Sequence, residues 1–387
     1  MDPFQRLPAE LVGQIIRNTA DFVGVDSLIT VSRQARAVFQ LNSCSIVQDL
    51  VSSNSITSQP EIKKLLSHIA FIHRPSIRCT SLDEYMQLAN REEGALGLPF
   101  CQKDSDSDLA CRILRIAAQT QRLACACLSA LRQGLATAVG TSSNRTQMAN
   151  GPFSYLEEYR VYWALWHLRR YSDLRKTAGQ KWMWSREEIN KLDSYTALSG
   201  IHDFRAEQIW TVASVLVELG ARLASPSTGE SQELQHASAA AWDLAPNTPI
   251  PVFLSFELAR SIENNDSMLW CPPQTPIEDP VTKAWKLTVS YCNRPSGQTM
   301  LFRSLRQQAL RGRPDRPPSV AMNNIRPYRR SGVLLWDSWR MYSTGLAPNT
   351  SRERRPAPGG GFIGPNYDAD TREDILSAWL EIAGVKR

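Results

Sequence analysis

Five histidines and eight cysteines limit the chemistry that local motifs can supply in this 387-residue chain. His68 and His73 lie about 140° apart round a helix at about 100° per residue, so one helix face cannot offer both to a metal. The chain holds no His-Glu-x-x-His. Cys125-Ala126-Cys127 lacks the wider gap of paired zinc ligands and falls within a helical apolar stripe, which reads as core. Asp104, Asp106 and Asp108 alternate like the opening of a calcium loop, yet Leu109 stands where that loop needs Gly and no Glu closes it. There is no Gly-x-Ser-x-Gly elbow, and the Gly359–Gly361 run lacks the Lys-Ser/Thr of a phosphate loop. Cys79 with His73, or Cys44 with any His, remains a pair that only the fold could assemble. A buried thiol and a hydrogen-bonded surface His are the commoner outcomes. The residues predict no catalytic group, no metal and no cofactor.

Composition sets further bounds. Hydrophobic residues make up 42% of the chain and charged ones 21%, which excludes disorder throughout. The opening Met1-Asp2-Pro3-Phe4 has no basic stretch leading into an apolar run, and the best apolar window, Val212 to Leu219, is cut by Glu218. The expectation is a protein of the cytoplasm or nucleus, with reduced thiols and no membrane span. The net charge of +6 is concentrated. Residues 301–330 hold eight Arg against the single acid Asp315, for a local +7, which leaves −1 on the remainder. Arg313-Pro314-Asp315-Arg316-Pro317-Pro318 is too Pro-rich for a binding helix and no aromatic platform accompanies it. A solvated loop is expected, not a nucleic-acid surface.

These residues must be positioned mainly by helices. Leu109, Ile113, Ile116, Leu123, Cys127, Leu131 and Leu135 form one stripe over residues 106–136, with Ser105 and Asp108 at capping spacing. A second long helix is predicted from about Pro152 to Ala178, with Pro152 in its first turn, Ser154 and Glu157 at capping-box spacing, and Gly179 at its end. Its aromatic stripe of Tyr155, Tyr159, Tyr162 and Trp166 reads as core, whereas Trp182 and Trp184, placed in a turn, fit either core or a partner surface. Ser185 and Glu188 start a short helix. Phe204 to Ala224 forms another, with Glu218 and Arg222 at i,i+4 spacing. Lys286 to Cys292 is the best strand candidate, residues 345–370 read as a Pro/Gly-rich linker, and a last helix covers Glu373 to Ile382 within 371–387. The expected fold class is mainly α, with one or two minor strands.

The most specific pattern lies at the start. Leu7-Pro8-Ala9-Glu10-Leu11 opens a helix with Leu11, Ile15 and Ile16 apolar; a break around Ala20 to Gly24 follows, then a short helix through Val25 and Leu28, then Val31-Ser32-Arg33 leading into a third helix. About 40 residues cannot bury three such stripes alone, so part of the surface must meet the rest of the chain or a partner. This pattern resembles the F-box, in the divergent form that heads many fungal proteins. Gly24-Val25 stands where that family usually has Asp-Leu, and Gln40-Leu41-Asn42 where it has a Trp. The segment Gly332-Val-Leu-Leu-Trp336-Asp337 is similar to a Trp-Asp stretch near the C-terminus of many such proteins; read physically, it is a buried strand end followed by Asp337 as a helix cap.

The resemblance implies a module over residues 1–45 that packs against the Skp-type adaptor of a cullin ubiquitin ligase, with Leu7, Pro8, Leu11, Ile15, Leu28 and Val31 as adaptor-binding residues. The helical body, 46–344, would then hold an unidentified protein target. The alternative is a helical scaffold whose F-box-like head is packed inward. Burial of Leu7, Leu11 and Val31 discriminates between the two.

Overall fold

Apolar residues at three- and four-residue spacing close into helices that bury one stripe each. The computed structural model describes residues 2–19, 21–93, 107–140, 143–194, 203–219, 222–223, 254–255, 328–347, 355–356, 362–363 and 369–382. These residues are mainly helical: α1 (Ala9–Asn18), α2 (Phe22–Val31), α3 (Arg33–Ser53), α4 (Pro60–His73), α5 (Leu82–Glu93), α6 (Ser107–Ala138), α7 (Ser143–Ala149), α8 (Tyr155–Gln180), α9 (Arg186–Ser194), α10 (Asp203–Glu218), α11 (Ser338–Ser343) and α12 (Ala369–Ile382). Two antiparallel two-residue pairs join Arg222–Leu223 to Leu254–Ser255 and Arg355–Pro356 to Phe362–Ile363. The Lys286–Cys292 strand candidate lies outside the described residues.

Helix α6 is the axis of the packing, with α2, α3, α7, α8 and α10 set against it. Its predicted stripe is buried from Leu109 to Leu135, and Cys125 and Cys127 are free thiols within it. Helix α8 starts with the expected capping box: the Glu157 amide donates to Ser154 Oγ at 3.4 Å and the Ser154 amide to Glu157 Oε2 at 3.0 Å. Pro152 sits ahead of the helix, not in its first turn, and Gly179 lies inside the last turn. The chain reverses at Met183, a non-glycine residue with φ of 57°. The flanking Trp182 and Trp184 are core. Their indole N–H groups donate to the carbonyls of Ile77 at 2.9 Å and Cys79 at 2.7 Å, and they pack with Phe71, Tyr85, Tyr171 and Leu174. These bonds satisfy both indole donors inside an apolar cluster, so burial costs no unmade bond.

Helix α10 ends at Glu218, earlier than the sequence predicts. Arg222 falls in the first short strand and not on the helix, so the i,i+4 spacing expected for Glu218 and Arg222 does not apply, and Glu218 accepts from Arg330 at 3.3 Å. Arg329 also departs from the solvated-loop expectation. It is buried and donates through two nitrogens to Glu207, each at 2.7 Å. Residues 301–327 of the Arg-rich stretch lie outside the described residues.

The C-terminal part of the chain is drawn onto α6, α8 and α10. Residues 328–336 form turns, not a strand, and Asp337 caps α11 by accepting from the Arg340 amide at 2.7 Å. Trp336 is fully buried. Gly332, at φ of 65°, leaves no room for a Cβ, which would stand 2.9 Å from Leu131 and 3.2 Å from the Trp336 indole. Arg340 donates to both oxygens of Glu157, at 2.7 and 2.9 Å, and to the carbonyls of Ala149 and Pro152 at 2.8 and 2.6 Å. From α8, Arg160 donates in return to the Leu335 and Trp336 carbonyls at 3.1 and 2.6 Å. Helix α12 then docks through Trp379, whose indole donates to the Leu346 carbonyl at 2.8 Å and whose ring meets Tyr328 edge-on. Leu346, at the start of the expected linker, is itself core.

No break falls at residue 45. Helix α3 continues to Ser53 through a kink at Asn42 (φ −130°, ψ 19°), and a single cluster of buried side chains runs from Val12 to Trp379. The N-terminal three helices thus share buried side chains with α6 and the later helices.

Removing one partner of a buried ion pair strands the other charge, at a cost of about 3–5 kcal/mol. Arg340→Met is therefore expected to lower unfolding free energy by that order in urea titration, whereas Arg330→Met, at an exposed pair, changes it by less than about 1 kcal/mol.

Candidate functional site

The first three helices divide their apolar residues between two directions. Val12 and Ile16 of α1, Phe22, Val25 and Ile29 of α2, and Ala35, Val38 and Phe39 of α3 are buried. Leu11, Ile15 and Val31 are instead 45%, 37% and 68% exposed, and Pro8 is exposed beside them. Leu7 and Leu28 are half-buried, Leu7 resting on the core edge. Of the six sequence-predicted residues, four face outward and two are shared between core and surface. Leu41, 83% exposed at the kink of α3, adds a further apolar residue that the sequence did not mark as a site position.

Local bonding holds this surface in shape. Pro8 precedes α1 as its cap position, with ψ of 146°, and makes no side-chain cap bond. Ser32 caps α3, its Oγ accepting from the Ala35 amide at 3.0 Å. Asp2 reaches across the α2–α3 junction and accepts from Ser32 Oγ at 3.0 Å and the Gln34 amide at 3.1 Å, while its other oxygen accepts from the Phe4 amide at 3.0 Å. These donors, the Phe4 amide foremost, hold the Asp2 carboxyl below the usual carboxylate range. The Gln34 side chain donates to the Leu7 carbonyl. Together they bring the start of α1 against the junction where α2 ends in Val31. The break between α1 and α2 is shorter than predicted: Asp21 caps α2, accepting from the Gly24 amide at 2.6 Å, so Gly24 lies within the helix. The N-terminal helices meet α6 through the Val23 amide, which donates to Gln121 at 2.9 Å, and through the Arg122–Asp26 pair.

The residues with reactive side chains lie elsewhere. His73 is bonded to Asp173 at 2.8 Å, not to Cys79, and Asp173 also accepts from Arg169 at 2.9 Å. Cys79 is buried, and desolvation pushes its thiol up to about 11, which makes it a poor nucleophile. Burial likewise raises the Cys127 thiol. His68 is fully enclosed, with neither ring nitrogen hydrogen-bonded and its ring edge-on to Tyr85. Desolvation, with Arg170 and Lys64 nearby, lowers its pKa to about 3. The described residues hold no cluster of His, Cys, Asp or Glu fit to bind a metal, and none of their helices is long and apolar enough to cross a membrane. Cys101, Asp104 and Asp106 lie outside them.

Comparison of the chain with family models, curated proteins and solved structures returns no match.

Two measurements follow from this division of surfaces. Leu11→Ser with Val31→Ser is expected to change unfolding free energy by no more than about 0.5 kcal/mol per site, whereas Ile16→Ala removes buried volume and costs about 2–5 kcal/mol. His68 stays neutral in the folded chain while the unfolded chain takes up a proton below pH 6.5, so stability is full above that pH and falls towards pH 3. The loss amounts to about 2 kcal/mol by pH 5. His68→Leu should flatten that part of a pH–stability curve; a slope unchanged by the substitution would contradict the assignment.

Proposed function

We propose that the chain is an F-box-like substrate-recognition subunit that joins a Skp-type adaptor, and through it a cullin, to a protein target. The observation that carries this reading is the exposure of Pro8, Leu11, Ile15 and Val31. On a small helical unit, apolar residues that do not serve the core are available to a partner, and here they coincide with the positions that the F-box resemblance assigns to adaptor contact. Leu7 and Leu28 border the same surface and would be covered further on association. Burying a handful of aliphatic side chains supplies roughly a few kcal/mol of association before its costs are counted. The role is binding without chemistry, and the cytoplasm or nucleus is the location it implies.

A scaffold reading, in which the N-terminal helices serve the chain's own architecture, draws on one observation: α2 and α3 share their core with α6. It requires the apolar residues to be covered from within, and Leu11 and Val31 are not.

The test is capture of purified Skp-type adaptor by the full chain. Wild type is expected to retain the adaptor, and the double variant Pro8→Ala/Leu11→Ala to lose it while keeping its circular dichroism and melting temperature. A wild-type chain that retains no adaptor overturns the proposal, as does a double variant that binds as well as wild type.

A further inference from the structure

Two histidines of the helical body, His68 and His167, carry buried nitrogens without partners. The Tyr159–Glu61 and His73–Asp173 bonds set α4 and α8 side by side in the same direction, which brings His68 of α4 level with His167 of α8. Both ring nitrogens of His68 and Nδ1 of His167 are enclosed with no hydrogen bond. His68 is fully buried and edge-on to Tyr85 of α5, while the His167 ring packs at 4.2 Å from that of Trp163. An imidazole keeps at least one N–H in either charge state, so His68 encloses a donor that bears its full desolvation cost. Folded cores bond nearly all such groups, to a water or an ion where no side chain serves.

The charge around the two rings has one sign. Arg170 and Lys64 bear on His68, and Arg170 and Arg205 on His167. The flanking acids are engaged elsewhere: Glu61 accepts from Tyr159 and Arg205, and Asp173 from His73 and Arg169. Arg170 is half-buried and has no carboxylate partner among the described residues. Its Nε reaches Tyr85 Oη at 3.4 Å and its Nη2 the Met86 thioether at 3.5 Å, both weak contacts. A bound water would satisfy the rings and leave this charge unmatched, and a metal cation would be repelled by it. We infer that the seam between α4 and α8 binds a small oxyanion of the phosphate class, which accepts from His68 and His167 and pairs with the Arg170 guanidinium. Charge-assisted bonds of this kind are stronger than neutral ones, and the planar guanidinium fork matches two oxygens of such an ion. His167 and Arg170 are half-buried and Lys64 is exposed, so the ion enters from their side of the seam. The site shares no residue with the adaptor surface.

Equilibrium dialysis of the full chain against radiolabelled inorganic phosphate tests this, at fixed ionic strength with chloride as the balancing anion. Wild type is expected to bind phosphate saturably and in equimolar ratio. Arg170→Gln and His68→Leu should each weaken binding by roughly tenfold or more, the loss of one charge-assisted bond. Arg330→Met removes the same charge at a distant exposed site and should bind as wild type does. Circular dichroism and melting temperature in phosphate-free buffer identify any variant that misfolds, and the other of the two seam variants then decides. Displacement of the label by phenyl phosphate as well as by unlabelled phosphate would identify a group carried on a larger molecule, and displacement by unlabelled phosphate alone the free ion; both uphold the site. No saturable binding by wild type overturns the inference and leaves the seam with a water at most. Binding that survives both seam variants, or that falls equally in Arg330→Met, overturns it as well. None of these outcomes bears on adaptor capture.

Discussion

A carboxylate removed from water must be surrounded by donors, and Glu157 meets that demand with groups from two separate stretches of chain, Ser154 and residues 337–340. Burial raises its pKa, with Asp337 adding to the effect, while Arg340 and the Ser154 amide oppose it. The same side chain closes the capping box of α8, pairs with Arg340 and accepts from the Asp337 amide at 3.2 Å. If Arg340 leaves, the carboxylate is exposed to its own desolvation, the cap of α8 weakens, and the carbonyls of residues 149 and 152 lose their donor. The position of Trp336, and through it the seating of the chain around Gly332 on α6, depends on that one site. Arg160 and the Arg329–Glu207 pair repeat the device nearby, so much of the seam between the C-terminal segment and the long helices is polar and directional.

A seam of this kind specifies one arrangement more sharply than apolar contact does, because a displaced helix would leave each charge unpaired in a medium of low dielectric. The N-terminal helices are organised differently. Their inward side chains are apolar, Phe22 and Phe39 among them, and Asp2, Asp21 and Asp26 bond locally, at the helix starts or in the Asp26–Arg122 clasp. The result is a surface shaped by core requirements on one side and free of them on the other. The N-terminal helices therefore present one buried and one exposed apolar set.

Short-range features were legible in the sequence for physical reasons. Ser154 and Glu157 are three residues apart, and the bonds they make close within one turn. The stripe from Leu109 to Leu135 repeats with the helix period, whereas the outward residues of the first helices were singled out by the F-box resemblance and not by their spacing. What lay beyond reach was long-range pairing. Nothing near Glu157 announces Arg340, and the Arg329 charge looks the same in sequence as its exposed neighbour Arg330, although it ends in the core opposite Glu207. Trp182 and Trp184 could not be assigned because the carbonyls that take their N–H groups belong to Ile77 and Cys79, about a hundred residues earlier. Gly179 was a reasonable helix stop by type. The turn instead fell to Met183, where two buried indoles fix the backbone and override local preference. Leu41 gave no periodic signal because the kink at Asn42 interrupts the helix phase.

The unbroken core from Val12 to Trp379 has a thermodynamic consequence. Helices that share buried side chains melt together, so free energy gained by a ligand on one of them is distributed over all. A protein that covers Leu11 and Val31 would slow amide exchange not only in α1 and α2 but along α6 and as far as α12, with no displacement of any atom. In such a molecule occupancy is registered as rigidity, and the far end of the chain is a reporter of what is bound at its beginning.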